Sequence, residues 1–132
     1  MGARSHIGVQ EADGTITYVY CHWDSYPEHH VPILTTHYAT HERASALVAV
    51  GHLSELGESI GEAHDFDDRP EGVCTYYGRD RGEKNRGPSV AKDLDAFDAA
   101  SHDVEVYLFA DGEWRGKNRR GAWVPAKYLV VP

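Results

Sequence analysis

The chain has 132 residues, of which 41% are hydrophobic and 11% aromatic. That is one domain's length, with enough apolar content to bury a core without disulfides or a structural metal. Thirteen basic residues against 21 acidic ones leave a net charge of −8, which argues against general binding to a nucleic-acid backbone. No stretch approaches the roughly 18 apolar residues of a membrane helix, and no charged-then-apolar leader opens the chain. A cytoplasmic protein with no membrane partner is therefore expected.

Residues 5–10 and 15–21 are β-rich runs separated by Asp13-Gly14, whose glycine supplies the positive φ of a tight hairpin turn. Tyr18 and Tyr20 alternate with Thr17 and Val19, as on a strand with two distinct faces. A polar, aromatic connector covers residues 22–30. A short helix is predicted over 31–38, with Pro32 in its first turn, where a missing N–H does no harm. Thr40 caps a second helix over 41–50 that places Ala44, Leu47 and Val48 on one face, and Gly51 ends it.

Residues 53–71 carry seven acidic side chains against Arg69 alone, a local balance of −6, and with their glycines and Pro70 they read as surface loop. A strand over 73–77 leads into a Gly-rich basic loop over 78–88. Asp93 is the N-cap of a helix over 94–100. Residues 104–109 alternate as a strand and turn at Asp111-Gly112 towards Trp114. Residues 122–124 and 128–131 complete the strands, with Pro125 as a break. The expected fold class is α+β, a single domain over 1–132: an antiparallel sheet with an N-terminal β-hairpin, two or three short helices and C-terminal strands.

Ten of the thirteen basic residues sit in two stretches, 79–92 and 115–127, and the tail from Arg115 onward has no acidic residue. The chain is acidic on average yet strongly polarised. Glycine-containing basic loops beside strands can offer backbone N–H groups and arginines together to an anion. A small phosphorylated ligand or an acidic patch on a partner protein fits this better than a long duplex. The plainer alternative is two solvated loops whose arginines pair with the acidic stretch.

Cys21 and Cys74 are two thiols far apart in sequence, expected to be free and partly buried. His22, His29, His30, His37 and His41 crowd one region, but the junction at Thr40 separates His37 from His41, and no glutamate follows the first to make an H-E-x-x-H pattern. Cys21 and His22 are neighbours on a strand and point to opposite faces, which opposes a nucleophile–base pair. No metal, no cofactor and no catalytic residue is expected. Trp23 and Tyr26, in the polar connector, are the aromatic residues expected at the surface, and most of the others belong to the core.

Three stretches in order, YCHWDSYP at 20–27, HLSELG at 52–57 and YGRDRGE at 77–83, resemble a widespread group of small accessory proteins in tailed bacteriophages and prophages. The pattern of that group reads YCHWDGYP, GDLSxLG and YGRDRGE. The resemblance covers about residues 5–115, departs at Ser25, His52 and Glu55, and leaves the basic tail as an addition. It implies a protein made inside an infected bacterium and no particular activity. Carried over residue by residue, it implies a ligand site at His22, Trp23, Asp24, Tyr26, Arg79, Asp80 and Arg81, to which the basic loop adds Arg86. The same positions are open to a structural role, with Asp24 shaping a turn and Arg79 and Arg81 clamping the loop through buried carboxylates.

The function expected is a non-enzymatic phage accessory protein that binds a host component, either a host protein or a small phosphorylated signalling molecule, with counter-defence as one such role. The alternative is an acidic, protein-directed inhibitor or assembly factor acting through residues 55–71. A metal-dependent hydrolase built on the histidines ranks last.

Overall fold

A computed structural model describes residues 3–130. Strands β1 (Ser5–Gln10) and β2 (Ile16–Cys21) form the expected hairpin, in register from Ser5 opposite Cys21 to Gln10 opposite Ile16. Asp13 shapes the turn by accepting from the backbone N–H of Thr15 at 2.9 Å and from its hydroxyl at 2.6 Å. The alternation sends Ile7, Val9, Val19 and Cys21 to one face, all fully buried, and Gly8, Ile16, Tyr18 and Tyr20 to the other.

The first helix, α1 (Pro27–His37), starts four residues before the predicted boundary, because Pro27 rather than Pro32 takes its first turn. Pro32 therefore lies within the helix, on its exposed side. Helix α2 (His41–Ala49) begins where expected, with Thr40 Oγ1 accepting from the Arg43 N–H at 3.1 Å. Leu34, Tyr38, Ala44, Leu47 and Val48 pack on the Ile7/Val19 face together with Tyr107, Phe109 and Trp114. Buried aromatic polar atoms are satisfied by backbone: Trp114 Nε1 donates to Tyr38 O at 2.7 Å and the Tyr107 hydroxyl to Ser25 O at 2.6 Å.

The acidic stretch is not all loop. Its start forms β3 (Leu53–Glu55), which lies parallel to β2 and antiparallel to β4 (Thr75–Tyr76). The strand expected over 73–77 is thus only two residues long, and the basic loop opens with a helical turn, α3 (Tyr77–Arg81). Asp80 winds that turn by accepting the Tyr76 N–H at 2.8 Å. A further strand, β5 (Ser89–Ala91), pairs antiparallel with the start of β2. Helix α4 (Leu94–Ala100) is capped by Asp93, which accepts from the Ala96 N–H at 2.8 Å, and it seats Phe97 against Ile16 and Leu108.

Strand β6 (Glu105–Ala110) returns beside β1 in parallel, so the sheet is mixed rather than wholly antiparallel. Strands β7 (Glu113–Lys117) and β8 (Trp123–Pro125) extend it, giving the order β4-β3-β2-β1-β6-β7-β8 with β5 also on β2. The strand expected over 128–131 is instead a 3-10 helix over Ala126–Leu129, since Pro125 has no N–H to continue a ladder. Val131, the end of that expectation, lies outside the described residues. Among the described residues, four α-helices and eight strands confirm the α+β class, with four helices where two or three were expected. Helices α1 and α2 cover one sheet face, and α4 covers part of the other.

Candidate functional site

The outer edge of β2 is shared by two short strands. β5 pairs with Ile16, Thr17 and Tyr18, and β3 with Cys21, which leaves Tyr20 between them with no strand opposite. Its backbone N–H donates instead to Nδ1 of His52 at 3.1 Å. Because Nδ1 accepts, the neutral ring carries its proton on Nε2, beside the recess. Burial, and after it the charge of Arg86, lowers the His52 pKa, so the imidazole is neutral at neutral pH.

At this break in the edge, Tyr20, His52, Tyr77, Arg81, Glu83 and Arg86 line a recess of about 400 Å3. Arg86 is fixed there through its backbone: its carbonyl accepts the His52 N–H at 2.8 Å and lies against Gly51, whose φ is +129°. A Cβ at Gly51 would sit 2.3 Å from that carbonyl oxygen, so only glycine allows the approach. Arg81 lies over the rings of Phe66 at 4.5 Å and Tyr77 at 5.2 Å. Glu83 bridges the two arginines, with Oε2 accepting from Arg81 Nε at 2.5 Å and Oε1 from Arg86 Nε at 3.1 Å. Two guanidinium groups beside aromatic walls thus face the chain's own carboxylate.

Arg79 and Asp80 have a different role. The Arg79 guanidinium donates to Ile60 O at 2.8 Å, to Gly61 O and Cys74 O at 3.0 Å, and to both oxygens of Asp80. Asp80 further accepts the backbone N–H groups of His64 and Tyr76. Burial acts to raise this carboxyl's pKa, but the hydrogen bonds from Arg79, Tyr76 and His64 outweigh it and hold the group below the usual carboxylate range. Arg79 and Asp80 tie the acidic stretch to β4 and do not line the recess, so Arg79 clamps the loop through a buried carboxylate, whereas the carboxylate that Arg81 meets, Glu83, is only partly buried.

The connector residues lie elsewhere. His22 and Trp23 border a second recess of about 640 Å3, whose lining includes Arg4 together with Asp103 and Glu105, so its walls hold no excess of basic side chains. The Tyr20 hydroxyl, 2.6 Å from His22 Nδ1, links the two recesses. Asp24 has φ +55° and turns the chain, as the structural alternative has it. Trp23 and Tyr26 are exposed as expected, at 46% and 44%, and Tyr26 is the residue before α1. The eight expected residues therefore fall into three groups, of which Arg81 and Arg86 alone reach the recess. Tyr20, His52, Tyr77 and Glu83 were missed. The alternation of Tyr18, Tyr20 and His22 on one strand face was the available signal.

The basic stretches lie at opposite ends of the sheet order, by β4 and by β7–β8, and form no common site. Neither pairs with carboxylates of the acidic stretch among the described residues: Arg115 meets Glu113, Lys117 meets Asp98, and within the acidic stretch Arg69 meets Glu55. The histidines disperse likewise, His37 to Glu58 and His41 to Glu11. Among the described residues, no group of three or more His, Cys, Asp or Glu side chains gathers in a way that could hold a metal ion. Cys21 and Cys74 are free and buried, and burial pushes the Cys21 thiol up to about 12, so neither is a poised nucleophile.

No family model, curated protein or solved structure matches the chain. Among the described residues no helix is long and apolar enough to cross a membrane.

Proposed function

We propose that this chain is a non-enzymatic accessory protein of phage origin, acting in the cytoplasm of an infected bacterium by binding a small phosphorylated signalling molecule of the host. The observation that supports it is the recess at the break in the β2 edge, where Arg81 and Arg86 face one another across Glu83 beside Tyr20 and Tyr77. A planar ring with an anionic substituent matches aromatic walls and a pair of guanidinium groups.

The test is a thermal-shift series of the full chain against nucleotides and sugar phosphates at millimolar concentration. Ligand at 100 times its Kd stabilises by about 2.7 kcal/mol, which for a domain of this size raises the Tm by roughly 8 °C. An R81Q/R86Q variant keeps its Tm and loses the shift. A flat response of the wild type across the whole series overturns the proposal.

A further inference from the structure

We propose that Glu83 is a displaceable internal anion, and that the position it holds between Arg81 and Arg86 receives the phosphoryl group of a nucleoside monophosphate whose base lies against Tyr77 and Tyr20. This rests on the reading of the recess as a ligand site and names both the ligand class and the device that controls access to it.

The geometry carries the argument in three steps. First, each Glu83 oxygen takes the Nε–H of a different arginine, so one carboxylate joins two cations that would otherwise face each other with their charges unbalanced. A phosphate monoester has three terminal oxygens and close to two negative charges, and it fits two guanidinium groups better than a carboxylate does. Second, Glu83 is held by little else. It follows Gly82, which has φ +74°, and its own backbone N–H reaches Tyr77 O at 3.2 Å and need not break when the side chain rotates away. Leaving the two arginines is therefore a side-chain motion and not a refolding of the loop.

Third, the remaining walls suit a nucleoside. A volume of about 400 Å3 lies within the range of small-molecule sites. Tyr77 already packs against Phe66, with 5.7 Å between centroids and the ring planes tilted by 32°, which holds its ring in place as a platform. With Nδ1 taken by the Tyr20 N–H, His52 turns its Nε2–H donor to the recess it lines, where a ring nitrogen or a sugar oxygen can accept it. Inorganic phosphate alone would use the arginines and leave the platform and this donor idle.

A ligand that competes with Glu83 binds with an affinity reduced by the fraction of molecules in which the two arginines are uncapped. Glu83→Gln keeps the size of the side chain and removes its charge. It lies in an exposed loop, and an unchanged Tm verifies that the variant is folded. Calorimetric titration of wild type and E83Q uses the adenosine, guanosine, cytidine and uridine 5′-monophosphates, their nucleosides and inorganic phosphate as probes.

The expected result is that at least one monophosphate binds E83Q about tenfold tighter than wild type, and more tightly than either its nucleoside or phosphate. Equal or weaker monophosphate binding by E83Q overturns the inference about Glu83, even where another phosphorylated ligand still shifts the Tm and the functional reading stands. Equal binding of phosphate and of every monophosphate to E83Q overturns the nucleoside assignment. If no probe binds E83Q and no ligand shifts the wild-type Tm, both the inference and the functional reading fall.

Discussion

Two arginines separated by one residue do opposite things in this chain. Arg79 has five hydrogen bonds to backbone carbonyls and to a fully buried carboxylate, whereas Arg81 is half exposed and bonded to a side chain that can leave. Removing Arg79 would strand the Asp80 charge, and loss of one partner of a buried pair costs about 3 kcal/mol or more. R79A is therefore expected to lower the urea midpoint strongly, and R79K to do so by a smaller margin, since an ammonium cannot reproduce the planar fork. R81Q should leave the midpoint nearly unchanged. Near-wild-type stability of R79A in urea unfolding would refute the clamp. The R-D-R triplet reads as a single basic motif in the sequence, and nothing local tells its two arginines apart, because the difference lies in carbonyls about 19 residues away.

At the scale of elements, what was legible was what is settled locally. The hairpin at Asp13-Gly14, the Thr40 and Asp93 caps and the apolar face of α2 each depend on residues within four positions, and each stands where the sequence places it. Strands β3 and β5 have three residues apiece and exist because β2 and β4 supply their hydrogen bonds, so no periodicity marks them, and β4 keeps only two of the five residues expected over 73–77. The candidate site inherits this limit. Arg81 and Arg86 were readable as basic loop residues, but His52 enters only because a break in strand pairing leaves the Tyr20 N–H needing an acceptor. The same break depends on Gly51 closing onto the Arg86 backbone. Gly51→Ala combines a strained φ with a 2.3 Å clash, so a loss of about 2 kcal/mol is expected. Any ligand response should weaken with it, and an unchanged Tm in G51A would show that the approach is not required.

For the whole molecule, acid is the revealing variable. Burial, with the charge of His29 behind it, lowers the His30 pKa to about 3, and burial first also lowers those of His6 and His52. A histidine with a lowered folded pKa binds its proton more readily when unfolded. The stability it contributes is complete above about pH 6.5 and is lost as the pH falls towards the folded value. Asp80 acts in the same sense below the ordinary carboxylate pKa, while His64, whose pKa is raised chiefly by its hydrogen bond to the Asp65 carbonyl, is most favourable below pH 6.5 and acts in the opposite sense. The net expectation is a urea midpoint that drops between pH 7 and pH 4.5. His30→Phe should flatten that slope while nearly preserving stability at pH 7, because it also removes the buried, unpartnered Nε2. A slope as steep in H30F as in the wild type would mean that His30 does not govern it.

The parallel pairing of β1 with β6 also bears on how the chain comes to be folded. Ser5 lies opposite Glu105, so one edge of the opening hairpin stays bare until about a hundred further residues have been made. During synthesis the hairpin can close early, but at the slow pace of translation it waits for its second neighbour with unpaired N–H and C=O groups along β1. Contacts of such long sequence separation also slow the search for the native state. The chain thus carries a period of exposure to edge-to-edge association, and the late arrival of β6 is what ends it.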